Sequence, residues 1–261
     1  MNIVVYGFWQ SIKYRLGFGR AFLSECIAQT LWFVIEAAGF WIIVGRFGSI
    51  GGWSAPEVFL LFAVGTTVWS IGGGFVARGN AAVGWCFDTG FIDIGLTKPV
   101  NFYASFMAGN VNPSHFPRIV LAIALMVFCL VRFFAPLPGG RLALFVVGLL
   151  GGLLICAALQ TACGGLGFRL PRGESTMWLI STLSDVISYP IHIFPRLLQL
   201  TVTFVVPFAL ATYYPTRFLL RGDVPLGGWL MPLTLAIGFV LFYAAYRFWM
   251  SGLEHYQSTG N

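Results

Sequence analysis

The chain has 261 residues, of which 58% are hydrophobic and 9% charged, and its mean hydropathy is +0.83. So few charges cannot cover the surface of even one soluble domain, so lipid must solvate most of the molecule. The net charge of +6 comes from basic residues scattered singly. That pattern excludes a nucleic-acid patch and points to orientation in a membrane.

Residues 1–20 place Tyr6, Phe8, Trp9, Tyr14 and Phe18 among Lys13, Arg15 and Arg20. This aromatic and basic make-up predicts an interfacial helix in the headgroup plane. The apolar run that follows is too long for a signal-peptide core, so the segment is expected to stay in the mature protein.

A helix needs roughly 20 mostly apolar residues to cross about 30 Å of hydrocarbon. Six stretches qualify: 22–44, with Glu25 and Glu36; 58–76, uncharged; 119–137, following Pro117-Arg118; 142–168, uncharged; 175–194, with Asp185; and 226–246. Between the second and third, the long stretch from Arg78 to Arg118 is amphipathic, and short helices on the membrane surface are expected there. Residues 197–216 are also long enough to span, but Pro207 sits at the middle and Pro195 and Pro215 fence the ends. A re-entrant hairpin packed within the bundle fits better than a seventh span, because broken backbone at membrane depth must be covered by protein or line a cavity.

With the N-terminus inside, Lys13, Arg15, Arg20, Arg78, Lys98, Arg118, Arg169, Arg172 and Arg247 fall in the cytoplasm, and the six remaining arginines outside. The bias agrees with the positive-inside rule.

Catalytic patterns are missing. A P-loop needs a lysine after its glycines, and the two lysines, Lys13 and Lys98, are not so placed. Gly72-Gly73-Gly74 and the Gly148-x-x-x-Gly152 spacing read as close helix packing. No H-E-x-x-H occurs, the histidines His115, His192 and His255 are dispersed, and Ser175 has no nearby histidine. His192, after Pro190, reads as a hydrogen-bonded structural residue. Cys156 and Cys163 have no further ligand to complete a metal set. No catalytic residue, metal or cofactor is therefore assigned to this chain. Glu36 and Asp185 are different, because a carboxylate within a span is costly and must face protein or water. Either they line a translocation path, or they make helix-to-helix hydrogen bonds or arginine pairs.

The stretch Gly90-Phe-Ile-Asp-Ile-Gly-Leu-Thr-Lys-Pro-Val-Asn-Phe-Tyr103 is similar to the loop after the second span of bacterial ABC-2-like permeases, with its L-x-[KR]-P element. Tyr189-Pro-Ile-His-Ile-Phe-Pro195 and Thr203-Phe-Val-Val-Pro-Phe-Ala-Leu-Ala-Thr-Tyr-Tyr-Pro215 resemble a branch of the same permeases. The order of parts agrees over nearly the whole chain, which therefore resembles the membrane subunit of type-2 ABC exporters.

The resemblance implies an all-α membrane protein of six transmembrane helices, with an N-terminal interfacial helix, a cytoplasmic coupling helix and a re-entrant hairpin before the last helix. It implies a dimer, with an identical or related permease, resting on a separate ABC ATPase dimer that holds ATP and magnesium, in a bacterial inner membrane with both termini cytoplasmic. Coupling to that ATPase would involve Asp88, Asp93, Leu96, Lys98 and Pro99, with Arg169 and Arg172 as lesser contacts; a merely solvated loop is the alternative. The path would lie at the dimer interface, with Glu36, Thr66, Thr67 and Asp185 as liners and a hydrophobic or amphiphilic cargo, cationic if the carboxylates face it. The competing functional class is an ion-coupled secondary transporter or channel using the same carboxylates, for which repeat symmetry is expected and not seen. A membrane scaffold that only recruits a partner is the third.

Overall fold

The computed structural model describes residues 3–88, 92, 100–169, 180–182 and 184–254. Helix α1 (Ile3–Gly17) turns at Phe18 into α2 (Gly19–Phe47). A two-residue hairpin, β1 (Ser49–Ile50) and β2 (Trp53–Ser54), follows. Its turn residues Gly51 and Gly52 both have positive φ, at 56° and 74°. That is the backbone a tight hairpin needs and glycine supplies most readily.

Helix α3 (Ala55–Gly72) starts with Pro56 and with the Ser54 backbone N–H donating to Glu57 at 2.7 Å, an N-terminal stop signal written in three residues. It runs on through a π turn (Gly73–Ala77) into α4 (Arg78–Asp88), so the continuous apolar helix is Ala55–Val83. Arg78, expected to open a surface loop, is on this helix. After α5 (Phe102–Gly109), a short turn leads into α6 (Phe116–Phe134). Then come α7 (Gly139–Gly167), α8 (Arg196–Leu200), α9 (Tyr214–Arg221) and α10 (Leu230–Leu253).

Five helical stretches are long and apolar enough to cross a membrane: Gly19–Phe47, Ala55–Val83, Pro113–Phe134, Gly139–Gly167 and Gly227–Leu253. They correspond to five of the six expected spans. The exception is 175–194, whose described residues form no long α-helix. Asp185–Ser188 and Ile191–Ile193 are separate 3₁₀ turns with Pro190 between them, and proline removes a backbone donor while fixing φ. The chain nevertheless passes from one end of the molecule to the other here. Arg169 lies at the α10 C-terminal end, bonded to Ser251 at 2.7 Å, whereas His192 reaches the β hairpin at Gly51.

Residues Arg196–Val205 and Ala209–Arg221 form two limbs bent by 79° around Pro207. His192, before the first limb, and Arg221, ending the second, both bond to the same hairpin turn, at Gly51 and Gly52. The bent pair, a broken span or a re-entrant loop, thus begins and ends beside one turn. Pro195 precedes the first limb, as expected. Pro215 does not fence the second; it is buried inside it, at the start of α9, and the helix continues to Arg221. A proline near a helix start loses no hydrogen bond, and the π turn Ala209–Tyr213 ahead of it widens the backbone to accept the ring.

The most extensive helix pairing is α7 with α10. A Cβ at Gly151 would lie 2.7 Å from the Thr234 and Leu235 backbone, and one at Gly238 would lie 2.7 Å from the Gly151 carbonyl oxygen. Small residues bring the two backbones together where lipid supplies no hydrophobic drive, as the glycine spacing predicts. Gly148 and Gly152 seat Met231 and Ala211 in the same way. The loop helix α5 packs one face against the bundle. Its Phe102, Tyr103 and Phe106 pack around Trp249 of α10, which is fully buried. Burial pushes the Tyr103 phenol above its ordinary range, and the hydroxyl bonds Thr161 of α7 at 2.8 Å.

Candidate functional site

Glu36 sits near the middle of α2, and Trp32 lies one turn before it, so both share a face. Thr66 and Trp69 share a face of α3 in the same way, and Asp185 opens the 3₁₀ turn that packs against α3. These groups line one open cavity of about 260 Å³, together with Arg118, Ser181, Ser184 and Ser188. Three of the four expected path residues, Glu36, Thr66 and Asp185, therefore meet although they are far apart in the chain. The fourth, Thr67, does not line it: its hydroxyl donates to the Ala63 carbonyl of its own helix at 2.7 Å. Adjacent helix positions lie about 100° apart, so Thr66 and Thr67 cannot face one cavity equally.

Arg118 is the residue that sequence reasoning misplaces. The expectation is a cytoplasmic loop, but α6 begins at Phe116 and the apolar helix at Pro113, which carries Arg118 into the bundle. Its Nη2 donates to Glu36 Oε2 at 2.8 Å and its Nε to Ser70 Oγ at 3.2 Å, so one guanidinium joins α6 to α2 and α3. The Arg118 side chain is 13% exposed and Glu36 35%, so the pair is shielded without being sealed. An ion pair in this setting is held by geometry and costs desolvation if either partner is removed. The usable signal is the proline: Pro117 at a helix start places the next residue on the helix. Asp185 is exposed and makes no ion pair among the described residues. Among the described residues the cavity thus carries two carboxylates against one guanidinium.

A second polar cluster closes the hairpin end. His192 bonds Gly51 through Nε2 and faces the Tyr213 hydroxyl at 3.4 Å through Nδ1. Tyr213 accepts from Arg217 at 3.2 Å, and Arg217 donates to Asp223 at 2.6 Å. Arg221 donates to Glu57 at 3.0 Å and stacks over Trp53 at 5.1 Å. His192 is the hydrogen-bonded residue its sequence setting suggests.

The expected coupling residues Asp93, Leu96, Lys98, Pro99 and Arg172 lie outside the described residues, as does the side chain of Asp88. Arg169 staples α7 to α10, bonding Gly165 and Ser251 and stacking over the Phe248 ring at 4.1 Å.

The sequence matches the description of an ABC-2 family transporter protein over residues 27–260. The chain belongs to the ABC-2 transporter family. It is thus a multi-pass membrane permease, the transmembrane subunit of an ABC transporter, of a family that works with a separate ABC ATPase and typically as a dimer. No curated protein matches the permease.

Proposed function

We propose that this permease forms half of an export path that opens between two permease copies, identical or related, and that it moves a hydrophobic or amphiphilic cation. The observation that carries this reading is the convergence of Glu36, Thr66 and Asp185 on one cavity beside α2, the least buried of the five long apolar helices. Leu31, Trp32, Ile35 and Ile42 of α2 are all exposed by half or more, so the cavity opens along an apolar face that a second permease would cover. An excess of one carboxylate, with Trp32 and Trp69 beside it, favours a cationic head, which aromatic faces attract when desolvated. The exposed first limb, with Leu197, Phe204 and Val205, and the His192 cluster would close the outer end.

ATP and magnesium belong to the partner ATPase in this reading. Asp88, Asp93, Leu96, Lys98 and Pro99 would meet it in the first cytoplasmic loop, with Arg172 as a lesser contact. Arg169, already engaged with α10, would hold the second contact in place. The membrane is a bacterial inner membrane with both termini in the cytoplasm. Arg15, Arg78 and Arg169 gather at one end of the molecule, and Arg141, Arg217 and Arg221 at the hairpin end.

The test is co-purification from the native membrane followed by transport in proteoliposomes. A P-loop ATPase should be recovered in stoichiometric amount, and Lys98→Glu with Asp93→Lys should release it. Uptake of a labelled lipophilic cation should need ATP and fall about tenfold in Asp185→Asn, the loss of one charge-assisted contact. A chain that moves ions without any ATPase would overturn the proposal.

A further inference from the structure

A second cavity, of about 420 Å³, lies at the opposite end from the β hairpin, between α1, α5 and the start of α4. It shares no lining residue with the Glu36 cavity. Arg15 and Arg78 line it with Gln10, Ser11, Ser105 and Asn110, and no carboxylate lines it among the described residues. Arg15 is 14% exposed and meets Glu25 through Nη1 at 3.0 Å, which leaves the other N–H groups of its planar fork for a ligand. Phe102 and Phe106 supply an apolar wall beside the polar one.

We propose that this cavity is a phosphate site occupied by the headgroup of an anionic membrane phospholipid. Guanidinium forks match phosphate oxygens in pairs, so two of them around one recess suit a phosphodiester better than a carboxylate or a lone chloride. The depth is right for a lipid. Each 29-residue helix, Gly19–Phe47 and Ala55–Val83, is about 43 Å long against about 30 Å of hydrocarbon, so its ends stand in the headgroup layer. Helix α1 roofs the cavity and exposes Tyr6, Trp9, Tyr14 and Leu16, the residues of a helix lying among headgroups. The apolar wall then accepts the glycerol and the first acyl carbons. A zwitterionic lipid carries its own cation into a recess lined by two arginines and, among the described residues, by no carboxylate, and is disfavoured. The inference does not depend on the cargo of the central cavity.

The experiment is native mass spectrometry of the detergent-purified permease given phosphatidylglycerol or phosphatidylcholine at equal concentration. The wild type should retain phosphatidylglycerol in preference, and Arg78→Gln should cut that retention about fivefold, the value of one arginine near an anionic headgroup. Arg46→Gln, at the other end of α2, should leave it unchanged. Gln10→Glu, on the exposed face of α1, puts an anion into the recess without touching the bundle and should remove the preference even if Arg78→Gln folds poorly. Equal retention of the two lipids, or a preference that survives both variants, overturns the proposal. Displacement of phosphatidylglycerol by excess inorganic phosphate keeps the phosphate chemistry but overturns the lipid as its source.

Discussion

Helices α7 and α2 each have 29 residues and are apolar enough to cross a membrane, yet the bundle treats them in opposite ways. Along α7, Gly151 and Gly152 let the Leu235 and Ala211 backbones approach, Gly148 seats the Met231 side chain, and twelve α7 residues are buried. Along α2 only Phe33, Phe40 and Val44 are buried, and a Cβ at Gly39 or Gly45 would meet nothing within 4 Å. The seam of α7 has no room for side chains at these glycines, so sliding against α10 would need backbone shifts. At the middle of α2, where the cavity lies, the Arg118–Glu36 pair stands beside the packing of Phe40 on Phe59 and Phe62. A transporter needs both kinds of contact: packing that resists change and a polar joint that can trade partners.

The largest expected effect is at the seam. Gly151→Val must push against the Leu235 backbone, and overpacking of this kind costs about 3 kcal/mol. Thermal unfolding in detergent should show a strongly lowered midpoint; an unchanged midpoint would mean that α7 and α10 can separate freely.

The joint should respond less strongly and in a correlated way. Glu36→Gln and Arg118→Gln should each destabilise the permease by about 2 kcal/mol, because each leaves a partly shielded charge unpaired. The double variant should recover about 1 kcal/mol of the sum, measured as a coupling energy in a double-mutant cycle. Strict additivity would show that the pair is not made in solution.

The smallest effect, and of opposite sign, is expected for Gly39→Ala on α2. With open space at the Cβ, alanine should stabilise the helix by up to about 1 kcal/mol. Destabilisation would reveal that another permease copy packs against that glycine, and cross-linking through cysteines at position 39 would then report the contact.

Much of this division is legible in the chain. The glycine spacing in 142–168 predicts close packing, and Glu36 and Asp185 stand out because an uncompensated carboxylate in a span is expensive. The helical repeat places Trp32 beside Glu36. It does not separate Thr66 from Thr67, since two adjacent polar residues are equally good candidates until the fold turns one of them to the cavity. The partner of Glu36 is also hidden, because an arginine next to Pro117 reads equally well as the end of a loop or the first turn of a helix. The three prolines of 195–215 read as three breaks, whereas only Pro207 bends the chain sharply and Pro215 is absorbed by the turn before it.

By itself the sequence determined the solvent of this protein, its all-helical build and the five long helices, because twenty apolar residues in a row have one stable answer in a bilayer. Composition also determined that any charge placed in those helices would have to find a partner. Which partner it found was decided only by the fold. Arg118 reaches Glu36 because α6 crosses both α2 and α3, and Asp185 joins them because it opens a 3₁₀ turn that packs against α3. Such meetings depend on how helices cross in three dimensions, which local propensity and hydropathy, each read along one segment at a time, do not contain.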